Sequence, residues 1–458
     1  MVDNVDLELQ DLSNIRGALP RLLHRVNEDR RRERRLASRI RMVPDTLRDL
    51  SESSFNPRVV SIGPLHRDDE IVKKFEAKKA DYVVKLIKNM IPSPRQEEGQ
   101  EEEILKSCLE EVLKSCVNRV SPLKKKVQEG YEWNRDYEED EFIEFMVMDA
   151  CFILGFIFHI SKYPTYISYR KNILRDHGVI YDLVLIENQI PLFFLNEIFQ
   201  CTVIKFQPNK TLFEFLNPLL NLLTIFDVRI TSKEVDISTT DNNLLSLLYE
   251  CYKPDSPIQP GLLSSKIRSV VDLDSAGVNF KPNYNPKWQM GMDVKLKTFP
   301  GFSWCWGKPT LIMPPLYVDD FTEVVLRNLI AYEHESSMQT HAYVLSYAYF
   351  MGMLVNTQED VDKLVDAGVI INVMGSNREA ASMMKTICKE IAREQFFYDK
   401  EWDKLDMDKY CIGYLLKSII WLKRTYFNSP WNVIALFAGI ILFVLTVIQT
   451  IFTVKSAS

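Results

Sequence analysis

The residues best suited to chemistry are three consecutive polar side chains inside an apolar run. Glu187, Asn188 and Gln189 interrupt the segment VIYDLVLIENQIPLFFLNEIF. A carboxylate beside two amides could act as a general acid or base if the fold brought His66 or Asp149 next to it. The same residues could instead form a satisfied hydrogen-bond network between apolar elements, because buried polar groups need partners. We favour this structural cluster, and a hydrolase or transferase using Glu187 and a nearby histidine is the alternative.

Other chemical signatures are weak. His334 and His341 are seven residues apart, whereas zinc-binding helices usually place two histidines four apart. The sequence has neither a glycine-rich phosphate loop nor a Gly-x-Ser-x-Gly nucleophile motif. Its 8 cysteines are scattered without a Cys-x-x-Cys pair, which is typical of small buried side chains in a reducing compartment. We therefore predict no catalytic residue, no metal site and no cofactor.

The elements that must position the triplet are predicted to be helices. The chain has 458 residues, of which 46% are hydrophobic and 26% charged, a composition typical of globular proteins. Apolar residues recur at helical spacing over most of its length. Phe142 to Ile160 is apolar almost all round but contains Glu144, Asp149 and His159, which favours a buried central helix over a membrane span. Short extended pieces between residues 263 and 316 predict a small β-meander.

The C-terminal stretch at 431–454 contains no charged residue or histidine. A helix of this length is about 36 Å long, enough to cross a hydrocarbon core of about 30 Å. Ser429 and Pro430 suit the start of such a helix. We predict a transmembrane helix at 431–454 that has the lipid bilayer as its partner. The predicted fold class is thus mainly α: a large helical domain with a small β-meander insert and one C-terminal transmembrane helix.

The remaining boundaries follow from charge. An arginine cluster near residues 30–41 predicts a flexible basic lead at 1–40, followed by the helical domain at 41–428 and a short tail at 455–458. The net charge of −6 does not favour a nucleic-acid partner. The acidic N-terminus lacks an apolar core, so we predict no cleavable secretory signal.

The orientation of the domain is predicted from the residues that flank the span. More positive residues precede the span than follow it, namely Lys417, Lys423 and Arg424 against Lys455. The positive-inside rule then places the large domain in the cytosol. An extracellular domain would instead allow glycosylation of Asn209, which begins an Asn-Lys-Thr sequon.

Five motifs together resemble one plant family. They are VPDTLR…FNPRVVSIGPLH (43–66), MVMDACFIL (146–154), DLVLIENQIPLFFL (182–195), MPPLYVDDFTEVVLRNLIAYE (313–333) and EDVDKLVDAGVIINVMGSN (359–377). Their order and spacing resemble the plant "domain of unknown function 247" family across about 41–455. This chain departs from the family at Ala150, where members usually have Gly, and at Phe55, where they usually have Tyr.

The resemblance implies a function but no site. Members of the family commonly end in a single membrane helix, have no established enzymatic activity, and in some grasses sit at self-incompatibility loci. It therefore implies a non-enzymatic, single-pass protein of the plasma membrane that acts as an interaction or recognition module. Its role would be in signalling or self/non-self discrimination, through a protein partner that the sequence does not name.

Overall fold

The computed structural model describes most of the chain between residues 40 and 405, together with the C-terminal helix. The described residues are 24–25, 40–91, 98–132, 137–162, 174–230, 242–261, 267–299, 302–335, 341–387, 389, 396–405 and 430–457. The predicted basic lead at 1–40 lies outside them except at 24–25 and 40. Residues 406–429, which precede the C-terminal helix, also lie outside them.

The described part of the chain is mainly helical, which confirms the mainly α character of the predicted fold class. Its α-helices are α1 (Asp45–Arg48), α2 (Glu70–Lys73), α3 (Glu76–Lys88), α4 (Glu98–Val120), α5 (Lys124–Glu129), α6 (Glu139–Ser161), α7 (Leu174–Asp182), α8 (Leu192–Cys201), α9 (Leu212–Leu223), α10 (Leu244–Tyr252), α11 (Val270–Ser275), α12 (Asp320–Glu335), α13 (Tyr343–Leu354), α14 (Gln358–Asp366), α15 (Asn377–Thr386), α16 (Asp399–Leu405) and α17 (Pro430–Ala457). Short 3-10 turns lie at Glu52–Ser54, Ser121–Leu123 and Val203–Lys205.

Helix α6 lies at the centre of the core. It packs against α3, α4, α8 and α9, and most of its apolar length is buried inside the protein. The prediction of a buried central helix is therefore confirmed. Gly155 permits the close approach of α6 to α3, because a Cβ atom there would lie 2.5 Å from the backbone oxygen of Tyr82. The ring of Tyr82 packs edge-on against Phe152.

The predicted β-meander is wrong in its pairing. The strands are β1 (Asn279–Pro282), β2 (Asp293–Phe299), β3 (Phe302–Met313), β4 (Leu316–Val318) and β5 (Ile370–Asn372). The first three form a sheet in the order β1-β3-β2, with β1 parallel and β2 antiparallel to β3. In a meander β1 would pair with β2, but the connection at 283–292 is much longer than a hairpin turn. Strands β4 and β5 form a separate parallel pair that the sequence analysis did not predict.

Capping residues fix several helix ends. Thr357 caps α14 by accepting a hydrogen bond from the Asp360 N–H, and Gly368 follows the helix with a φ of 73°. Ser376 caps α15 in the same way, by accepting from the Glu379 N–H, and that helix ends at Thr386.

Helix α17 contains the uncharged C-terminal stretch. Its described side chains are exposed, and they include Phe437 and Phe443, which are 58% and 71% exposed. Among the described residues, α6 is the helix that is long and apolar enough to cross a membrane. The apolar segment of α17, Phe437–Thr453, is shorter. The two helices differ in burial, since α6 is enclosed by the body and α17 is not.

Candidate functional site

The polar triplet lies against a buried segment of irregular backbone, residues 57–66, which we call the strap. The strap forms neither helix nor strand, yet residues 60–64 and His66 are buried. Its backbone N–H and C=O groups therefore lack the partners that regular secondary structure supplies, and each one left unsatisfied would cost free energy. The side chains that bond to the strap show what the triplet and its neighbours do.

Asp182, at the end of α7, binds the first part of the strap. One carboxylate oxygen accepts from the Arg58 N–H at 2.8 Å, and the other accepts from the N–H groups of Val59 and Val60 at 2.7 Å each. Burial raises the pKa of Asp182 to about 6, and these three backbone donors oppose that rise. Asp182 thus replaces a missing β-strand partner for three consecutive residues.

Asn188 bonds to the middle of the strap through both the oxygen and the nitrogen of its side-chain amide. Its Oδ1 accepts from the Ile62 N–H at 2.6 Å, and its Nδ2 donates to the carbonyls of Val60 at 3.1 Å and Asp182 at 2.9 Å. An amide is required here because the strap presents both a donor and an acceptor within reach of one side chain.

A buried ion pair holds the last turn of the strap. Asp149 of α6 accepts from the Gly63 N–H at 2.8 Å and from Lys79 Nζ at 2.5 Å. Lys79 in turn donates to the Ser61 carbonyl at 2.7 Å, and both charged side chains are fully buried. Burial raises the pKa of Asp149, and the charge of Lys79 opposes this shift. Lys79 Nζ also lies 2.6 Å from Glu76 Oε1. Removing Lys79 would therefore leave the buried charge of Asp149 uncompensated, which is strongly destabilising.

Gly63 is required for the close approach of the strap to the triplet. Its φ is +73°, in the left-handed region that glycine tolerates best. A Cβ atom there would also lie 2.8 Å from the Gln189 carbonyl oxygen and 2.9 Å from the Tyr131 hydroxyl. That hydroxyl donates to the same carbonyl at 2.9 Å, so the backbone of the triplet is itself fixed.

Glu187 joins the strap to the segment before it. Its Oε1 accepts from the Val43 N–H at 2.5 Å and from the Arg48 guanidinium, and its Oε2 lies 2.6 Å from His66 Nε2. The other ring nitrogen of His66 lies 2.8 Å from a carboxylate oxygen of Asp69. The sequence analysis named His66 as a candidate neighbour, and the structure brings the two side chains together.

The charges of this pair reinforce each other. Burial by itself lowers the pKa of His66, but the hydrogen bond and charge of Glu187, aided by Asp69, raise it above 6.5 overall. Burial by itself raises the pKa of Glu187, but the bonds from His66, Val43 and Arg48 bring it below 4.5. The imidazolium and the carboxylate therefore form an ion pair at intermediate pH.

Gln189, the third residue of the triplet, forms its side-chain hydrogen bonds with backbone groups outside the strap. Its Nε2 donates to the carbonyls of Leu183 and Leu185 at 2.9 Å each, and its Oε1 accepts from the Leu245 N–H at 3.1 Å in the first turn of α10. The three triplet residues thus tie α10, the loop before α8 and the strap to one another.

The arrangement offers little room for a substrate beside Glu187. Its carboxylate is fully buried, and His66 is 5% exposed. A cavity of about 480 Å³ is present between α4 and α6, but neither residue lines it. Its lining consists of Leu113, Val117, Ser121, Lys124, Asp140, Ile143, Glu144, Val147 and Met148.

The other candidate groups remain separate. Among the described residues, no group of three or more His, Cys, Asp or Glu side chains is arranged to hold a metal ion. His334 and His341 are both exposed. A hydrogen bond with Cys151, followed by burial, raises the pKa of Cys116, which disfavours the reactive thiolate. Asn209 is exposed in the turn before α9.

Comparison with known proteins gives the family. The profile of the plant family described as "plant protein of unknown function", domain of unknown function 247, matches residues 40–445. The chain belongs to this family. The strap and the triplet lie within the matched region, as do Asp149 and Asp182.

Two family relatives from Arabidopsis thaliana are similar to this chain. The UPF0481 protein At3g47200 is 24% identical over 460 residues, which cover 90% of this chain and 86% of that protein. The putative UPF0481 protein At3g02645 is 29% identical over 224 residues, which cover 49% of this chain and 39% of that protein. No solved structure matches the chain.

Sequence reasoning missed several members of the site, and Asp182 and Lys79 are the two that bond most directly to the strap. Asp182 begins the motif that contains the triplet, but nothing local distinguishes it from a helix-end acid. Lys79 stands among the exposed lysines of α2 and α3, and its one signal is that it continues the apolar face of Phe75 and Val83 at a spacing of four residues.

Proposed function

We propose that this member of the plant family is a non-enzymatic interaction module held at a membrane by α17. The observation that carries the proposal is the exposure of large apolar side chains on that helix. Twelve residues of Ile, Leu, Val or Phe between 434 and 452 are at least 42% exposed. At about 1.5–3 kcal/mol for each fully buried side chain, moving them out of water is worth on the order of 10 kcal/mol or more.

A bilayer is the environment that best accounts for this exposure. The stretch at 431–454 carries no charged residue, and an α-helix satisfies its own backbone hydrogen bonds in hydrocarbon. Helix α6 is also long and apolar, but it is enclosed by the body and contains Asp149, which is bound to Lys79 and Gly63. It is therefore a core helix, and α17 is the better candidate for the span.

The hydrogen bonds that Glu187 and His66 already form within the protein support a non-enzymatic role. A general acid or base must reach the proton that it transfers. Both oxygens of Glu187 and both ring nitrogens of His66 are already engaged within the protein. The hydrolase or transferase alternative needs a route from solvent to this pair, and the described cavity is lined by other residues.

The membrane proposed here is the plasma membrane, with the helical body on its cytosolic side. The excess of lysine and arginine before the span supports this orientation. The body would then present its surface to a protein partner, in signalling or in discrimination of self from non-self. The family resemblance is the support for that biological setting.

Membrane flotation tests the anchor. The full chain and a chain that ends at residue 429 are each expressed in plant cells, and their membranes are floated through a density gradient after alkaline carbonate washing. We expect the full chain to float and the shortened chain to remain in the soluble fraction. Flotation of the shortened chain, or carbonate release of the full chain, would refute the anchor.

Endoglycosidase treatment tests the orientation. Asn209 is exposed, so a body outside the cell would be open to glycosylation at this sequon. We expect no change in electrophoretic mobility for the chain or for its Asn209→Gln variant. A mobility shift that depends on Asn209 would place the body on the other side of the membrane.

A further inference from the structure

The cavity between α4 and α6 lies where the central helix reaches the surface. Along the first half of α6, Asp140 and Glu144 are exposed and Met148 is half-buried, and their spacing of four residues places them on one face of the helix. All three line the cavity. Its α6 wall also includes Ile143 and Val147, which are 5% and 3% exposed. The cavity therefore connects the protein surface with side chains of the core.

The size and composition of the cavity are those of a small-molecule site. Leu113 and Val117 of α4 add to the apolar wall, while Ser121 and Lys124 come from the turn after α4 and the start of α5. The volume of about 480 Å³ lies within the range of about 300–1,000 Å³ that is typical of such sites. Since one water occupies about 30 Å³ of liquid, the cavity has room for an organic molecule of roughly 16 non-hydrogen atoms. An apolar molecule would supply packing contacts to the wall.

The charges of the lining indicate the head group of that molecule. Neither the Asp140 nor the Glu144 carboxylate forms a hydrogen bond or an ion pair with another residue in the described part of the chain. Like charges four residues apart on a helix repel each other. The helix dipole favours an acid in the first turn, which accounts for Asp140, but its effect falls off before Glu144. With two carboxylates and the single ammonium of Lys124, the lining favours a cation.

We propose that this cavity binds a small amphipathic amine, a molecule with an apolar body and one protonated amino group. The apolar body packs between Leu113, Val117 and Val147. The ammonium group has three N–H donors, so it can bond to both Asp140 and Glu144, and such charge-assisted bonds are stronger than neutral ones. The proposal does not depend on the position of α17 in a bilayer, because every lining residue belongs to the helical body.

Three compounds with a similar apolar body test the choice of head group. Phenylbutylamine, phenylbutanol and phenylbutyrate carry a cationic, a neutral and an anionic head group. Their binding to the purified full chain is titrated by saturation-transfer NMR in phosphatidylcholine nanodiscs, or in buffer if flotation shows that the chain needs no lipid. We expect the amine to bind with a Kd of about 1 mM or below, roughly 10-fold more tightly than the alcohol. Equal affinities, or a preference for phenylbutyrate, would overturn the proposal.

Two charge variants assign the binding to the cavity. Glu144→Gln keeps the shape of the side chain and removes its charge, while Glu141→Gln removes the same charge from an exposed residue of α6 that does not line the cavity. We expect Glu144→Gln to weaken binding of the amine roughly 10-fold and to leave binding of the alcohol unchanged. Glu141→Gln should leave both unchanged. An equal loss in the two variants would overturn the proposal, because it would indicate general attraction to an acidic surface.

A filling substitution tests the apolar wall. Val117 is 38% exposed, so Val117→Trp can occupy the cavity from its open side. We expect this variant to lose binding of both the amine and the alcohol at an unchanged melting temperature, and its residual signal measures partition of the compounds into lipid. A variant that melts like the wild type and binds both compounds as tightly would overturn the proposal. If Val117→Trp melts at a lower temperature, the comparison of Glu144→Gln with Glu141→Gln decides.

Discussion

The substitution Asn188→Ala tests whether the triplet has the structural role of holding the strap. The wild-type side chain bonds to the Ile62 N–H and to the carbonyls of Val60 and Asp182. Ile62 is 1% exposed and Val60 is fully buried, so water does not readily replace the lost partner. An unsatisfied buried backbone group costs about 1–3 kcal/mol, and we expect the strap to be destabilised by about 2–4 kcal/mol in total.

Hydrogen–deuterium exchange at the strap measures this effect directly. Since 1.4 kcal/mol corresponds to a factor of about ten, the amide of Ile62 should open and exchange roughly 30- to 1000-fold faster in the variant. Asn209→Ala removes an exposed asparagine outside the network and serves as the matched control. Unchanged protection of Ile62 in Asn188→Ala would refute the conclusion that the triplet holds the strap.

Three further substitutions test the packing and the ion pair in thermal or pH-dependent unfolding of the detergent-solubilised chain. Gly155→Ala should destabilise the folded chain by about 1–3 kcal/mol, because the added Cβ atom would lie 2.5 Å from a backbone oxygen. The control Gly352→Ala should be neutral or stabilising, because its nearest contact is at 3.4 Å. Equal melting temperatures of the two variants would contradict this prediction. Gly63→Ala should cost about 1–3 kcal/mol from its positive φ, and an unshifted melting temperature would count against the strap geometry. The pKa of His66 is raised, so the ion pair stabilises the folded chain below pH 6.5, and this stabilisation is lost as the pH rises through the folded pKa of His66. The pKa of Glu187 is lowered, so its ionised form stabilises the folded chain above pH 4.5, and this stabilisation is lost as the pH falls through the folded pKa of Glu187. His66→Gln should therefore remove the loss of stability on the alkaline side, and an unaltered pH profile would show that the pair is not charged.

Local patterns were sufficient for the mainly helical character of the chain and for one part of the site. The burial of α6 followed from polar groups placed where a bilayer would not accept them. The triplet was recognisable because polar residues inside an apolar run must find partners. These features depend on residues that are close together in the sequence, so they could be predicted without knowing which distant segments meet.

Long-range pairing was not predictable in the same way. Asp182 meets residues 58–60 across more than 120 positions, and Lys79 looks like its exposed neighbours in the sequence. Buried Glu333, which accepts from the N–H groups of Val344 and Leu345, resembles any acid near a helix end. The order β1-β3-β2 depends on which strand edges meet in space, and strand propensity does not specify that.

The depth of α17 in a bilayer tests the central claim most directly. A fluorophore is attached through Val444→Cys, near the middle of the helix, in the full chain reconstituted in vesicles that contain lipids with quenchers at defined depths. The account predicts strongest quenching by groups near the bilayer centre. Quenching by aqueous reagents instead, in a chain that stays dispersed without detergent, would contradict it.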